Sequence, residues 1–484
     1  MNLKEFAEEN ILVLDGAMGT QLQKYGLKMG ESPEFFNISQ SEIVKQVHMS
    51  YLQAGSNMIL TNTFGANKRK LRDLDSDEVI KRAVDAAKSA VAKSAASNIY
   101  TALDIGPIGE LLEPMGTLKF DEAYELFAQQ VLTGVKEGAD VIYIETMTDL
   151  YEAKCAVLAA KENTSLPVFC TMSFEKNKRT FVGVSISSAA LTLQGLGVDF
   201  IGINCSFGPK EMYEMAQELI KWTNLPIVIK PNAGLPKFIN GQAVFDIDPG
   251  EFADNMNCIL DLGISVIGGC CGTTPEFIEK LAILAKEKKP VKRKPLDFSA
   301  VCSASKTVLI DQVKNIGECI NPAGKERFQT AILENDMDYI VSQAIEQTES
   351  GADILDVNTG MPKIDEEKIM IDVIKNIQAV VSVPLQIEST KPEVIEAGLR
   401  AYNGKAIVNS VNGDDSSLHT ILPIVKKYGA AVIGLTIDQN GNPKTAEERL
   451  KIAEKIINTA ASYGIPKHDV IIDCLTLTSD FNNK

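Results

Sequence analysis

The chain has 484 residues, of which 45% are hydrophobic, 23% charged and 6% aromatic, and a net charge of −16. This length exceeds one ordinary core and predicts two or three domains. The acidic balance excludes a nucleic-acid-binding body, and no apolar run reaches the roughly 20 residues of a membrane helix. The opening MNLKEFAEEN lacks the basic-then-apolar order of a secretion signal, so a cytoplasmic protein is expected.

Short β-branched runs recur at even spacing through the first half. ILVLDGAM begins at Ile11, MILTNTFG at Met58, YTALDIGPIG at Tyr100 and VIYIETM at Val141. PVFCTMSF follows from Pro167, FIGINCS from Phe200, PIVIKPNAG from Pro226 and VIGGCCG from Val266. Segments with helical apolar spacing lie between them, for example SEIVKQVHMSYLQAG and EAYELFAQQVLTGVKEG. Several helices close on a Gly followed by a strand, as in EGADVIYIET and LGVDFIGINC, which suits a left-handed helix end feeding a buried parallel strand. Eight such units in about 285 residues predict a (β/α)8 TIM-type barrel over 1–285, with a doubly wound sheet as the alternative.

The basic run KEKKPVKRKP, Lys286 to Pro295, stands between two patterned halves and reads as a solvated linker spanning 286–305 rather than a polyanion-binding tail. Beyond it the α/β pattern restarts over 306–484. NIGECI, DILDVN, VPLQIE, KAIVNS, AAVIGLT and VIIDC give six further strands. A second tandem barrel would then be two strand–helix units short. The expectation is a fragment, because an open six-strand barrel exposes unpaired edges.

Nine cysteines in a long chain of this class do not suggest a disulfide framework. Cys155, Cys170 and Cys258 read as small buried hydrophobes. Cys205, Cys270 and Cys271 differ, because each follows a strand, where a parallel barrel carries its chemistry. Three thiolates from two strand ends can converge on one metal and leave the fourth tetrahedral position open, as catalytic zinc sites do. Adjacent strand residues point to opposite faces, so Cys270 and Cys271 can share a metal only if the backbone turns, and Gly268, Gly269 and Gly272 permit that. Buried thiols or a redox pair are the other readings; a vicinal disulfide would close a strained ring, which counts against the second. His48 reads as a packed helix residue, and neither Trp222 nor His419 and His468 join a constellation.

LDGAMGT (14–20), NTFGA (62–66), DIGPIGE (104–110), GINCS (202–206), PNAG (231–234) and GGCCGTTP (268–275) resemble, in order, the homocysteine S-methyltransferase domain. That resemblance implies that Cys205, Cys270 and Cys271 bind zinc, that homocysteine enters through its sulfur, and that Asp15 and Glu145, just after strands one and four, line the amino-acid pocket. Capping or a local salt bridge is the plainer role for those two carboxylates. GECINPAG (317–324), DVNTG (356–360), PLQIES (384–389), NSVNG (409–413) and VIIDC (470–474) resemble the pterin-binding barrel of dihydropteroate synthases and methyltetrahydrofolate methyltransferases. By that resemblance Asp356, Asn358, Glu388, Asn409 and Asp473 contact the pterin, with Asn409 nearest the ring. Two positions depart from the pattern: Cys319 stands where GERINP carries Arg, and Glu388 where Asp is usual.

Together the two motif sets resemble the front half of the cobalamin-dependent methionine synthases. The resemblance implies methyl transfer from 5-methyltetrahydrofolate to cobalamin in the second barrel, and from methylcobalamin to zinc-bound homocysteine in the first. No cobalamin-binding segment is read in the chain, so that domain would act in cis or in trans. Two alternatives are a cobalamin-independent methyltransferase using S-methylmethionine or betaine, and a non-catalytic pterin-binding or corrinoid-docking module.

Overall fold

A computed structural model describes residues 2–28, 30–94, 97–239 and 242–475. The chain divides into two compact units, Met1–Gln194 with Val198–Leu296, and Gly195–Gly197 with Asp297–Lys484. Among the described residues no helix is long and apolar enough to cross a membrane.

The first unit contains eight parallel strands: β1 (Leu12–Val13), β2 (Met58–Leu60), β3 (Tyr100–Ile105), β4 (Val141–Met147), β5 (Val168–Met172), β6 (Phe200–Asn204), β7 (Ile227–Lys230) and β8 (Val266–Ile267). They pair in sequence order from β2 to β8, β8 pairs with β1, and a bridge from Leu14 to Met58 closes the ring. Each expected strand lies within its sequence run. The helices expected from apolar spacing form as Ser41–Gln53 and Phe120–Lys136.

Alternation along these strands builds two layers inside the barrel. The lower layer is apolar and includes Leu14, Met58, Ala102, Tyr143, Phe169, Phe200 and Val228. Tyr143 stacks on Phe169 and Phe169 on Phe200, with ring centroids 5.3 and 4.0 Å apart. The helix Leu3–Glu9 sets Leu3 and Ala7 against this layer and covers the N-terminal mouth. Burying one such aromatic side chain contributes roughly 1.5–3 kcal/mol. Two residues further along the same faces the character reverses: Ala102 is followed by Asp104, Tyr143 by Glu145, Phe169 by Thr171 and Val228 by Lys230. Phe200 is followed by Gly202 and then Asn204. A Cβ at Gly202 would lie 2.0 Å from the Val228 carbonyl oxygen, so the close approach of β6 and β7 requires glycine there.

The second unit carries six parallel strands in sequence order: β9 (Ile316–Ile320), β10 (Ile354–Asn358), β11 (Leu385–Glu388), β12 (Ile407–Asn412), β13 (Ala431–Leu435) and β14 (Val470–Asp473). Among the described residues β9 and β14 do not pair with each other, so the sheet is open. The strands Ala300–Ser303 and Thr307–Leu309 form a hairpin, absent from the sequence expectation, whose Val301 and Val308 pack on Ile354, Ile407 and Ala431.

The basic run is held along the first unit: Lys289 donates to the Glu9 carbonyl at 3.0 Å and Arg293 to the Gly263 carbonyl at 3.0 Å. One cysteine expectation is corrected. Cys155 and Cys170 are buried, but Cys258 is exposed, because its position on helix Pro249–Leu260 falls off the face that buries Phe252, Met256 and Ile259. His48 lies wholly buried on its helix, and burial lowers its pKa to about 4, so it is neutral in the core.

Candidate metal centre and substrate pockets

Cys205 directly follows β6, and Cys270 and Cys271 follow β8 after two glycines. Their three sulfurs lie within 4.8 Å of one another. The turn that aims both neighbouring cysteines inward is held by other loops. Cys270 N–H donates to the Pro231 carbonyl at 2.7 Å, Cys271 N–H to Asn232 Oδ1 at 3.1 Å, and Gly272 N–H to Thr20 Oγ1 at 3.2 Å. Gly272 has φ +83, a left-handed backbone that glycine adopts without steric cost. Thr273 Oγ1 donates to the Cys270 carbonyl at 2.7 Å, and the Tyr51 hydroxyl donates to the carbonyls of Ala17 and Thr273.

The thiols share protons. Hydrogen bonds from Cys205 and then Cys270 draw the Cys271 thiol down to about 3, while bonding to Cys270 and Cys271 pushes Cys205 far up. Cys205 itself holds φ +52, unusual for a residue with a side chain.

Beside the sulfurs opens a cavity of about 540 Å³, lined by Asp15, Glu34, Asp104, Glu145 and Lys230 among others. Asp15 sits just beyond β1; its Oδ2 accepts from Leu60 N–H at 2.9 Å, while Oδ1 is buried with no hydrogen-bond partner among the described residues. Burial, opposed by Lys230, raises its pKa to about 7. Asp104 Oδ1 is likewise orphaned, and burial followed by the charge of Glu145 holds this carboxyl well above its ordinary range. Glu145 lies within β4 rather than after it, at a register shift between Ile144 and Met147. Such bulges re-aim side chains. Its Oε2 accepts from Lys230 Nζ at 2.9 Å, and both side chains are under a tenth exposed. Burial is the largest single influence on Lys230 and opposes its charge, but Glu145, Cys270, Tyr143 and Asp15 together outweigh it and hold the ammonium well above its usual range.

Sequence reasoning missed Asp104, Asn204, Lys230 and Glu34. The first three were visible as the polar members of period-two strands and lay inside or beside quoted motifs. Glu34 lies off the strands. Its Oε1 accepts from Gly65 N–H, a contact that joins two loops remote in sequence, and its Oε2 accepts from the hydroxyl of nearby Ser32.

In the second unit, Asn358 is in register with Glu388 and Glu388 with Asn409, so three expected pterin residues form one row across β10, β11 and β12. Asp356 lies one inward position below, buried, and burial followed by interaction with Glu388 raises its pKa to about 8. Asp473 stands apart: it lies on β14, beyond β13, is exposed, and accepts from Leu475 N–H at 2.7 Å. Two neighbours were not foreseen. Gln386 Nε2 donates to Asp356 Oδ1, and Asn321 Nδ2 donates to Glu388 Oε2 at 3.4 Å. Cys319 is exposed, with its backbone N–H on Gln347 Oε1 at 2.7 Å.

The family profile described as homocysteine S-methyltransferase matches residues 12–284, and that described as pterin binding enzyme matches 317–484. Methionine synthase of Mycobacterium leprae (strain TN) is 31% identical across 99% of this chain, and the match covers 42% of that protein. Methionine synthase of Mycobacterium tuberculosis (strain ATCC 25618 / H37Rv) gives the same identity and coverage, 31%, 99% and 42%. The chain thus spans 42% of the length of these curated relatives. Among solved structures, the metallated form of the homocysteine methyltransferase MmuM from Escherichia coli superposes with a TM-score of 0.50 at 23% identity, covering 58% of this chain and 98% of that one. That likeness carries the barrel fold.

Proposed function

Because the chain belongs to the homocysteine S-methyltransferase family, we propose that it methylates the sulfur of homocysteine at a zinc site formed by Cys205, Cys270 and Cys271. The observation that carries this reading is the convergence of three sulfurs within 4.8 Å beside a cavity whose buried carboxylates Asp15 and Asp104 each keep an unpartnered oxygen. Soft thiolate donors on this pattern fit zinc, with a fourth position left for substrate. When bound, the metal would supply a Lewis-acidic seat at which a substrate thiol loses its proton near neutral pH.

The chain's own groups do the rest. A homocysteine sulfur at the cysteines would extend its α-ammonium toward Glu145 and toward Asp15 and Asp104, whose unpartnered oxygens would accept its N–H groups. Asp15 and Asp104 are held toward the protonated form while no cation is present, and an arriving ammonium would favour their ionisation. Burial pushes the Glu145 carboxyl up and Lys230 opposes that push through its charge and hydrogen bond, and the stacked aromatic floor leaves substrate only the cavity mouth. A reducing, cytoplasmic setting belongs to the same proposal, since the Cys205 and Cys271 sulfurs, 3.6 Å apart, must remain thiols to hold a metal.

The second unit is proposed to bind 5-methyltetrahydrofolate through Asp356, Asn358, Glu388 and Asn409, with Asp473 at the rim. Carboxylate and amide groups in one row can meet the alternating donors and acceptors of a pterin edge. A corrinoid held by another domain, in cis or in trans, is the proposed methyl carrier. The test is zinc content together with homocysteine-dependent demethylation of methylcobalamin, comparing wild type with Cys271→Ala. Bound zinc and turnover, both lost in the variant, support the reading. Zinc and turnover that survive the substitution overturn the three-thiolate site, and methyl transfer only from S-methylmethionine or betaine overturns the corrinoid donor.

A further inference from the structure

Asn204 is wholly buried at the end of β6, one residue before Cys205, and its side-chain amide joins three strands. Oδ1 accepts from Thr146 N–H at 2.9 Å and from the Thr171 hydroxyl at 2.8 Å. Nδ2 lies 3.2 Å from Glu145 Oε2, 2.7 Å from Thr146 Oγ1 and 4.0 Å from Cys270 Sγ. Thr146, the residue after Glu145, has φ +60, a conformation that a β-branched side chain adopts only when its surroundings impose it. Asn204 grips Thr146 through both its backbone and its hydroxyl, and thereby holds the bulge that turns Glu145 into the cavity.

We propose that Asn204 is a positioning residue that fixes the spacing between the ammonium seat at Glu145 and the sulfur seat at Cys270. The proposal rests on the reading of homocysteine as substrate. In that molecule three carbons separate the sulfur from the amino nitrogen, so both ends are satisfied together only at one spacing of their seats. The side chain that bonds Glu145 also reaches Cys270, and small misplacements of such pairs are costly.

The experiment uses the zinc-loaded full chain and titration calorimetry with two thiols, homocysteine and 4-mercaptobutanoate, which keeps the thiol and carboxylate but lacks the amino group. Asn204→Ala is expected to weaken homocysteine about tenfold while changing 4-mercaptobutanoate by less than about twofold, with zinc content unchanged. Equal weakening of both thiols, weakening of neither, or loss of zinc overturns the positioning role. Thr171→Val serves if the alanine variant fails to fold: it removes a bond that orients Asn204 and leaves Glu145 and Cys270 intact. There homocysteine alone is expected to weaken, by about threefold, and equal effects on both thiols again overturn the proposal. A zinc-loaded wild-type chain that binds neither thiol overturns the homocysteine reading itself, before any variant is considered.

Discussion

Both units place polar side chains beyond an apolar layer of a parallel sheet, but only the first seals them in. Around β3 to β7 the ring closes, so Asp104, Glu145, Asn204 and Lys230 are all under a tenth exposed, and Glu145 bonds both Asn204 and Lys230. In the open sheet of the second unit Asp356 is buried, yet Asn358, Glu388 and Asn409 remain half-exposed and Asp473 is exposed. Closure removes water from charged groups, and desolvated charges need partners. The same strand-end device therefore becomes a rigid, interlocked site in one unit and a row of groups open to solvent in the other.

The largest test of this contrast is the metal. Cys271→Ala is expected to abolish stoichiometric zinc binding, measured by elemental analysis, while pterin affinity measured by calorimetry stays unchanged. Next comes the buried ion pair. Lys230→Met strands Glu145 without its cation and is expected to cost about 3–5 kcal/mol of stability in thermal or urea unfolding, whereas Glu388→Gln in the open row costs less than about 1 kcal/mol. Equal losses would refute the role given to closure.

A pH effect of similar or smaller size follows from Glu152, buried on helix Leu150–Asn163, where it accepts from Ile108 N–H at 2.6 Å. Burial, opposed by that hydrogen bond, raises its pKa to about 7. The folded chain keeps this proton after the unfolded chain has released it. Stability is thus greatest below the ordinary carboxylate range and is lost as pH rises through about 7, by up to about 3 kcal/mol. Glu152→Gln should flatten this part of the stability–pH curve, and an unchanged slope would place its origin elsewhere. The smallest expected effect is on pterin affinity: Asn409→Ala, which also removes a hydrogen bond to Asp356, should weaken it about tenfold without changing zinc content.

Much of this was legible in the chain. Every strand of both sheets overlaps its expected run, with Ile407–Asn412 reaching two residues past KAIVNS, because period-two and continuous apolar patterns register burial directly. The three cysteines stood out through their glycine-rich strand ends. What escaped had one of two causes. Lys230 and Asp104 belong to the site through partners on other strands, and a lone polar residue in a strand does not reveal its neighbour. Cys258 looked buried by type, whereas its helical phase turned it to solvent. Asp473 was grouped with Asn409 by motif, but an intervening strand separates them.

The sequence alone determined the alternation of strands and helices, the apolar floor and the residues available at each strand end, since these follow from local periodicity and side-chain chemistry. Tertiary structure alone decided which strand ends meet. It brought Cys205 to Cys271 across 66 residues and Lys230 to Glu145 across 85, and set Asn204 among three strands. Spatial proximity across a closed ring depends on register and closure, and neither is encoded in any one segment.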